Sequence, residues 1–146
     1  MPGLERFVAA QDGVIDRALA ELTAGAKTSH WMWFVFPQIA GLGHSDMARR
    51  YAIRDMAEAH DYLAHPLLAP RLVEATEAML GWAGRRSAET ILGAIDAVKL
   101  WSSMTLFDTA AGDRDVGSYR ACLDAFYGGV PDPATMAIIQ QHTISD

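Results

Sequence analysis

The sequence contains a single cysteine and fewer basic than acidic side chains. Because Cys122 has no partner, an internal disulfide is excluded, which fits a reducing compartment, and we expect a cytoplasmic protein. Lysine and arginine number 12 against 18 aspartate and glutamate residues, for a formal net charge of −6. Nucleic acids and anionic membranes bind clustered positive surfaces, so we expect neither as a partner. The basic pairs at 49–50 and 85–86 are interpreted as solvated surface or local ion pairs.

Long hydrophobic runs and cofactor motifs are also missing. The longest apolar run, residues 31–37, is too short to span a bilayer. Gly41 and Gly43 lack the third glycine and the preceding strand of a dinucleotide-binding motif, and the sequence has no phosphate-binding loop. The cysteine and histidine residues show no zinc-type spacing. We therefore expect no metal and no cofactor.

Helical spacing dominates what is present. The composition, 51% hydrophobic and 21% charged residues, is that of a globular protein, and 146 residues suit one domain. The clearest apolar stripe has helical periodicity and comprises Leu68, Leu72, Ala75, Met79 and Trp82. Several segments are too short for a symmetric bundle. We predict an all-α fold in which residues 1–146 form a single irregular globular array of about eight helices.

Capping and stop signals indicate where these helices begin and end. The predicted N-caps are Ser45, Asp55, Ser87 and Asp96. The predicted breaks and stops are Gly13, Gly25 and Gly128. Residues 31–36 are apolar without interruption, so periodicity does not distinguish a buried strand from a buried helical turn. We favour a short helix that ends before Pro37.

The first candidate site lies in this aromatic segment, at His30, Trp31, Trp33 and Gln38. Tryptophan rings can stack on a nucleobase, a sugar or another flat ligand. The alternative is that these side chains belong to the core, where the indole N–H groups still need hydrogen-bond acceptors.

The second candidate site is one face of the predicted helix that follows Asp96. Lys99 lies one helical turn from Asp96, Ser102 and Ser103, which places an ammonium, a carboxylate and two hydroxyls together. Such a face can hold an anion, and a deprotonated lysine can activate a serine as a nucleophile. The alternative is an Asp–Lys surface pair beside small residues at a helix crossing.

Gln11 is the third candidate, because it interrupts the apolar stripe of the first helix. A side-chain amide on a core face costs about 1–3 kcal/mol unless it finds partners. Gln11 therefore belongs either to a structural hydrogen-bond network or to the lining of a pocket.

Family resemblance extends over nearly the whole chain. Its segments are Leu4-Glu5-Arg6-Phe7-Val8-x-Ala10-Gln11, Ser29-His30-Trp31-Met32-Trp33-Phe34-Val35-Phe36-Pro37-Gln38, Gly41-Leu42-Gly43 with Arg50-Tyr51-Ala52-Ile53, Lys99-Leu100-x-Ser102-Ser103-Met104-Thr105-Leu106-Phe107, and Phe126-Tyr127-Gly128-Gly129-x-Pro131-Asp132-Pro133-x-Thr135. The sequence thereby resembles the bacterial domain-of-unknown-function family 1810, whose members are small, mainly helical and often stand alone. Members are sometimes mislabelled calpastatin-like, although calpain inhibitors are disordered. Trp101 stands where many members are expected to carry arginine, and the family brings no established catalytic residues.

A shorter similarity links the first helix to a second family. Glu5-Arg6-Phe7 and Gln11 are similar to the Glu-His-Tyr…Ala-Gln segment of the NADAR family, which acts as N-glycosidases on ADP-ribose or related ribosides. The resemblance implies a carboxylate near the sugar to stabilise an oxocarbenium-like transition state. Glu5 and Asp96 are the candidates.

Two hypotheses for function result. The first is a small-molecule binding protein or hydrolase for a nucleotide or riboside-like ligand, with a pocket between the aromatic segment and the Lys–Ser helix. The second is a non-catalytic protein-interaction domain or homodimer. A concave pocket containing Trp33 and Lys99 favours the first hypothesis, whereas a flat aromatic patch with Lys99 in solvent favours the second. The reaction, the ligand and the oligomeric state stay open at this point.

Overall fold

Ten helices make up the secondary structure of the computed structural model, which describes residues 3–112 and 117–145, with only the backbone for 143–145. They are α1 Glu5–Gln11, α2 Ile15–Ala24, α3 Met32–Val35, α4 Asp46–Arg50, α5 Met56–Ala64, α6 Leu68–Leu80, α7 Ala88–Leu92, α8 Ala94–Ala111, α9 Ser118–Tyr127 and α10 Pro133–Ser145. The predicted all-α class is confirmed, and about eight helices is close to the number found. None of the described helices combines the length and apolar character needed to cross a membrane.

Side-chain caps begin three of the short helices, as predicted. Ser45 accepts a hydrogen bond from the backbone N–H of Ala48, and Ser87 caps α7 in the same way. Asp55 accepts from the N–H of Glu58 at 2.8 Å and caps α5. Each cap satisfies a donor that the first turn of a helix leaves free.

The predicted cap at Asp96 is wrong. Helix α8 begins at Ala94, and its N-cap is Gly93, which has φ +90° and no side chain. Asp96 therefore lies in the first turn of α8, where a carboxylate is favourable beside the positive end of the helix dipole. Its oxygens are used by lysine side chains instead of by the backbone of its own helix.

Helix α8 is the longest helix and lies at the centre of the packing, in contact with α5, α7, α9 and α10. Its sequence is apolar or small on nearly every side, which is typical of a helix surrounded by others. Its buried residues are Ala97, Leu100, Ser102, Ser103, Met104, Thr105, Leu106 and Phe107. Its first and last turns reach the surface: Ile95 and Val98 are 76% and 55% exposed, and Thr109 is exposed near the other end.

The aromatic segment forms a single helical turn, α3, packed against α1 and α6. It ends before Pro37, as predicted, because Phe36 adopts a non-helical backbone with φ −124° and ψ 75°. Trp31 and most of the apolar residues that follow it are buried, whereas Trp33 is partly exposed. The segment is therefore mainly core, with one tryptophan facing outward.

The chain leaves the core after Ile39 and has returned to it by Ile53. The intervening residues 40–50 are called the outer segment below. A parallel bridge joins these two buried isoleucines. The N–H of Ile53 donates to the carbonyl of Gln38, and the N–H of Ala40 donates to the carbonyl of Ile53, both at 2.8 Å. The outer segment carries α4 and contains no buried residue.

Candidate functional site

An open depression of about 470 Å³ lies between the first turns of α8 and the chain that follows α3. Its apolar lining residues include Trp33, Leu42, Ile95 and Val98, and its polar ones include Gln38, His44, Ser45 and Lys99. The structure thus brings three sequence-predicted site residues, Trp33, Gln38 and Lys99, to one concave surface. They come from three separate stretches of the fold: α3, the chain after it, and α8.

Lys99, which lines the depression, shares the carboxylate of Asp96 with a second lysine, Lys27. Asp96 lies 2.8 Å from Lys27 Nζ through Oδ2 and 3.5 Å from Lys99 Nζ through Oδ1. The Lys27 side chain is only 8% exposed and lies over the Trp31 ring, so it is the closer and more enclosed partner. Since Asp96 lies closer to Lys27 than to Lys99, it neutralises the charge of Lys99 less completely.

Lys99 also lies directly over an aromatic ring. Its Nζ is 4.8 Å from the centre of the Trp33 ring, a cation–π distance. The side chain is 22% exposed, so it stands neither in open solvent nor in the core. Lys27, which completes this arrangement, was missed by the sequence analysis because it follows α2 in a loop and has no periodic relation to Asp96.

Trp31 does not reach the depression, because its indole is held inside by Glu21. Trp31 Nε1 donates to Glu21 Oε1 at 2.9 Å. The same carboxylate accepts from the N–H of Thr28 at 2.8 Å, and from the N–H and hydroxyl of Ser29 at 3.0 and 2.6 Å. Burial alone would raise the pKa of Glu21, but these hydrogen bonds outweigh it and lower the pKa to about 2. Glu21 thus anchors the aromatic segment to α2. His30, exposed beside it, is not among the residues that line the depression.

Ser102 and Ser103 face the core instead of Lys99. The Ser102 hydroxyl lies 2.7 Å from Asp132 Oδ2, and Thr135 donates to the same oxygen at 2.6 Å. The N–H of Asp132 in turn donates to Thr105 Oγ1 at 2.9 Å. The carboxylate at the start of α10 is therefore held by buried hydroxyls of α8 and α10. Ser103 Oγ is buried without a hydrogen-bond partner among the described residues.

Gln11 is part of a buried hydrogen-bond network. Its Nε2 donates to the carbonyl of Phe34 at 2.7 Å and to the Tyr62 hydroxyl at 3.2 Å. Its Oε1 accepts from Arg71 Nη1 at 3.3 Å. The amide is 1% exposed and connects α1 to α3, α5 and α6. Of the two roles considered, these contacts correspond to the structural one.

Glu5 is exposed and does not line the depression, whereas its neighbour Arg6 has a structural role. Arg6 donates to Glu58 Oε1 at 2.9 Å and to the carbonyls of Ala52 and Arg50 at 2.6 and 2.8 Å. Glu58 is 3% exposed and also binds Arg54 at 3.0 Å. Although burial raises the pKa of Glu58, the hydrogen bonds and charges of the two arginines lower it below its ordinary value. Sequence analysis missed this cluster, since its members come from distant segments.

The side chains that the structure describes form no evident metal site. No group of three or more histidine, cysteine, aspartate or glutamate residues in residues 3–112 and 117–142 is arranged to hold a metal ion. The cysteine thiol of Cys122 is buried, and burial raises its pKa to about 12. It therefore stays protonated and unreactive at neutral pH.

The chain is similar to known proteins along nearly its whole length. The family model described as "Protein of unknown function (DUF1810)" matches residues 2–139. The crystal structure of the conserved hypothetical protein Rv1873 from Mycobacterium tuberculosis is 47% identical, with a TM-score of 0.89. The match covers 94% of this chain and 96% of that one. No curated protein matches the chain.

Proposed function

The chain belongs to the DUF1810 family of proteins of unknown function, and we propose from its own residues that it binds a small molecule with a flat ring and an anionic group. The binding site is the depression between Trp33 and Lys99. The observation that carries the proposal is the unequal sharing of Asp96, which leaves the charge of Lys99 only partly neutralised on a concave, aromatic surface.

The anionic group of the ligand is expected to bind at Lys99. An ammonium that is 3.5 Å from its carboxylate and partly enclosed can form a shorter charge-assisted hydrogen bond to a phosphate or carboxylate oxygen. The tighter Lys27–Asp96 pair at 2.8 Å is not disturbed by this exchange. A nucleotide or a phosphorylated riboside has the required charge.

The ring of the ligand is expected to lie on the apolar part of the depression. Trp33, Leu42 and Val98 form this part, and covering them removes apolar surface from water. The Gln38 side chain lines the same depression without a hydrogen-bond partner among the described residues, so its amide is available to the polar edge of a ring.

Binding is a better account of these residues than hydrolysis. Ser102 and Ser103, the candidate nucleophiles, are turned into the core. An N-glycosidase needs a carboxylate that can face the sugar. Asp96 is the carboxylate nearest Lys99, and both of its oxygens already face ammonium groups.

A protein-interaction surface is a second candidate function. Ile95 and Val98 are largely exposed at the edge of the depression, and exposed aliphatic side chains beside an aromatic ring are typical of protein contacts. Association that depends on protein concentration in light scattering, without any response to small molecules, would favour this candidate.

A thermal-shift titration with ADP, ADP-ribose and related nucleotides tests the binding proposal. A ligand at 100 times its dissociation constant stabilises the folded state by about 2.7 kcal/mol, which raises the Tm of a domain of this size by ~5–10 °C. In Lys99→Met, which keeps most of the aliphatic stem over Trp33, we expect the affinity to fall at least tenfold. Arg17→Met, at an exposed arginine of α2, serves as the matched control and should respond like the wild type.

Two results would contradict the proposal. Equal shifts in Lys99→Met and wild type would remove Lys99 from the site. A ligand that shifts the NMR signals of other residues while leaving the Trp33 indole N–H unchanged would place binding elsewhere.

A further inference from the structure

Two arginine side chains, Arg85 and Arg86, pack on the ring of Trp82, which directly follows α6. The Trp82 indole is fixed by a hydrogen bond from Nε1 to the carbonyl of Leu22 at 2.9 Å. Two guanidinium groups lie over this indole, with the Cζ atoms of Arg85 and Arg86 at 4.5 and 4.6 Å from the ring centre. A single aromatic ring therefore contacts two positively charged side chains.

Backbone carbonyls hold both arginines in place. Arg85 Nη2 donates to the carbonyl of Gly81, and Arg86 Nη1 donates to the carbonyl of Gly25, each at 2.9 Å. Gly25 permits the close approach, because a Cβ atom there would lie 2.7 Å from the Trp82 ring. Since the guanidinium groups are already oriented, a ligand that binds them loses less conformational entropy than it would by ordering free side chains.

Both arginines are exposed, as expected for solvated surface, and neither forms an ion pair with a described residue. Among the described residues, no carboxylate oxygen lies within 4.0 Å of either guanidinium, so the local ion pair considered from the sequence is absent there. Each guanidinium carries five N–H donors, and a backbone carbonyl occupies only one nitrogen of each. Because both side chains line the same depression, their remaining donors are available to one anion bound there.

A depression of about 350 Å³ opens beside the pair. Its lining residues are Gly84, Arg85, Arg86, Ser87, Ala125 and Phe126. None of them lines the depression at Trp33 and Lys99, so the two sites are separate. Phe126 supplies an apolar wall next to the basic one.

We propose that Arg85 and Arg86 form a binding site for a phosphate group. A phosphate monoester carries a charge of about −1.5 to −2 at pH 7 and offers three acceptor oxygens, which matches two guanidinium forks better than a singly charged carboxylate does. The phosphate is either free or attached to a small organic group, which Phe126 then contacts. This inference does not depend on the function proposed for the other depression.

NMR titration of the ¹⁵N-labelled protein with inorganic phosphate and with phenyl phosphate tests this site, at ionic strength held constant with sodium chloride. We expect the Trp82 indole N–H and the amides of Gly84 and Ser87 to shift saturably. Tighter binding of phenyl phosphate would identify an organic phosphate as the ligand, and equal affinity would identify free phosphate. Arg85→Gln should weaken binding at least tenfold, whereas Arg17→Gln should bind like the wild type.

Two outcomes would overturn the inference. Shifts that stay linear up to tens of millimolar phosphate in the wild type would show that no site exists. Unchanged affinity in Arg85→Gln would show that binding occurs elsewhere. The wild-type titration decides the matter by itself if the variant fails to fold.

Discussion

Replacing Glu21 by glutamine tests how the aromatic segment is held. The substitution keeps the size of the side chain and removes its charge. In the wild type, one carboxylate accepts from two backbone N–H groups, the Ser29 hydroxyl and the Trp31 indole, at 2.6–3.0 Å. A neutral amide has a single acceptor oxygen for the same set of donors. We therefore expect Glu21→Gln to destabilise the fold and to loosen residues 28–31.

The magnitude follows from the lowered pKa of Glu21. A fall from 4.5 in the unfolded chain to about 2 in the folded protein corresponds to about 3 kcal/mol of stabilisation at neutral pH. Solvent reaches part of the carboxylate and screens it, so the expected loss in Glu21→Gln is smaller, about 1–2 kcal/mol.

The pH dependence has a definite direction. Because the folded pKa lies below the unfolded one, the contribution of Glu21 is fully present above pH 4.5. It declines as the pH falls, and it is lost once the pH passes below about 2. The stability difference between wild type and Glu21→Gln should therefore shrink to less than half of its neutral value by about pH 3.

Urea unfolding at pH 7, 5 and 3, followed by circular dichroism, measures this difference. Glu74→Gln, at an exposed glutamate of α6, is the matched control and should show no comparable loss at any of these pH values. The reasoning would be refuted if Glu21→Gln were as stable as the wild type at pH 7. It would also be refuted if the difference were the same at pH 7 and pH 3.

Two further substitutions have clear expected outcomes in the same urea assay. Gly25→Ala should cost roughly 1–3 kcal/mol, because Gly25 has φ +74° and a Cβ atom would lie 2.7 Å from the Trp82 ring; an unchanged midpoint would contradict this contact. Ser102→Ala should cost about 1–3 kcal/mol, because the buried Asp132 carboxylate loses a donor. Ser103→Ala removes a hydroxyl without a partner among the described residues and should cost little stability. Equal losses of stability in the two variants would contradict the hydrogen bond assigned to Ser102 and Asp132.

Local signals account for the parts of the fold that the sequence predicted. Ser45, Asp55 and Ser87 cap helices because a short polar side chain reaches the N–H groups of its own first turn. Gly25 ends α2 because it adopts a left-handed conformation that other residues rarely adopt. Such interactions span a few residues, so the sequence displays them directly.

Long-range partners account for what the sequence did not predict. The sequence predicts a cap at Asp96 because nothing near it indicates Lys27, which binds it from a loop after α2. Glu21 and the Arg6–Glu58 pair have no recognisable spacing either, since their partners come from other elements.

The structure brings some of the candidate site residues together and separates others. Trp33 of the aromatic segment and Lys99 of α8 line one depression, which is the arrangement that the first hypothesis requires. The two ends of this face differ, however, because Lys99 lies near the exposed start of α8, whereas Ser102 lies in the middle turns, which neighbouring helices enclose. Helical spacing shows which residues are neighbours on a helix, but it does not show which of them another helix covers.

The two walls of the depression differ in how firmly they are attached. Trp33 and Lys99 belong to helices packed into the core, whereas Leu42, His44 and Ser45 belong to the outer segment, in which side chains such as Leu42 are at most partly buried. Local opening costs little free energy where few apolar contacts are lost, so this wall should exchange its amide hydrogens faster than α8. Substitutions in the outer segment should therefore change the shape of this wall at little cost in the free energy of unfolding.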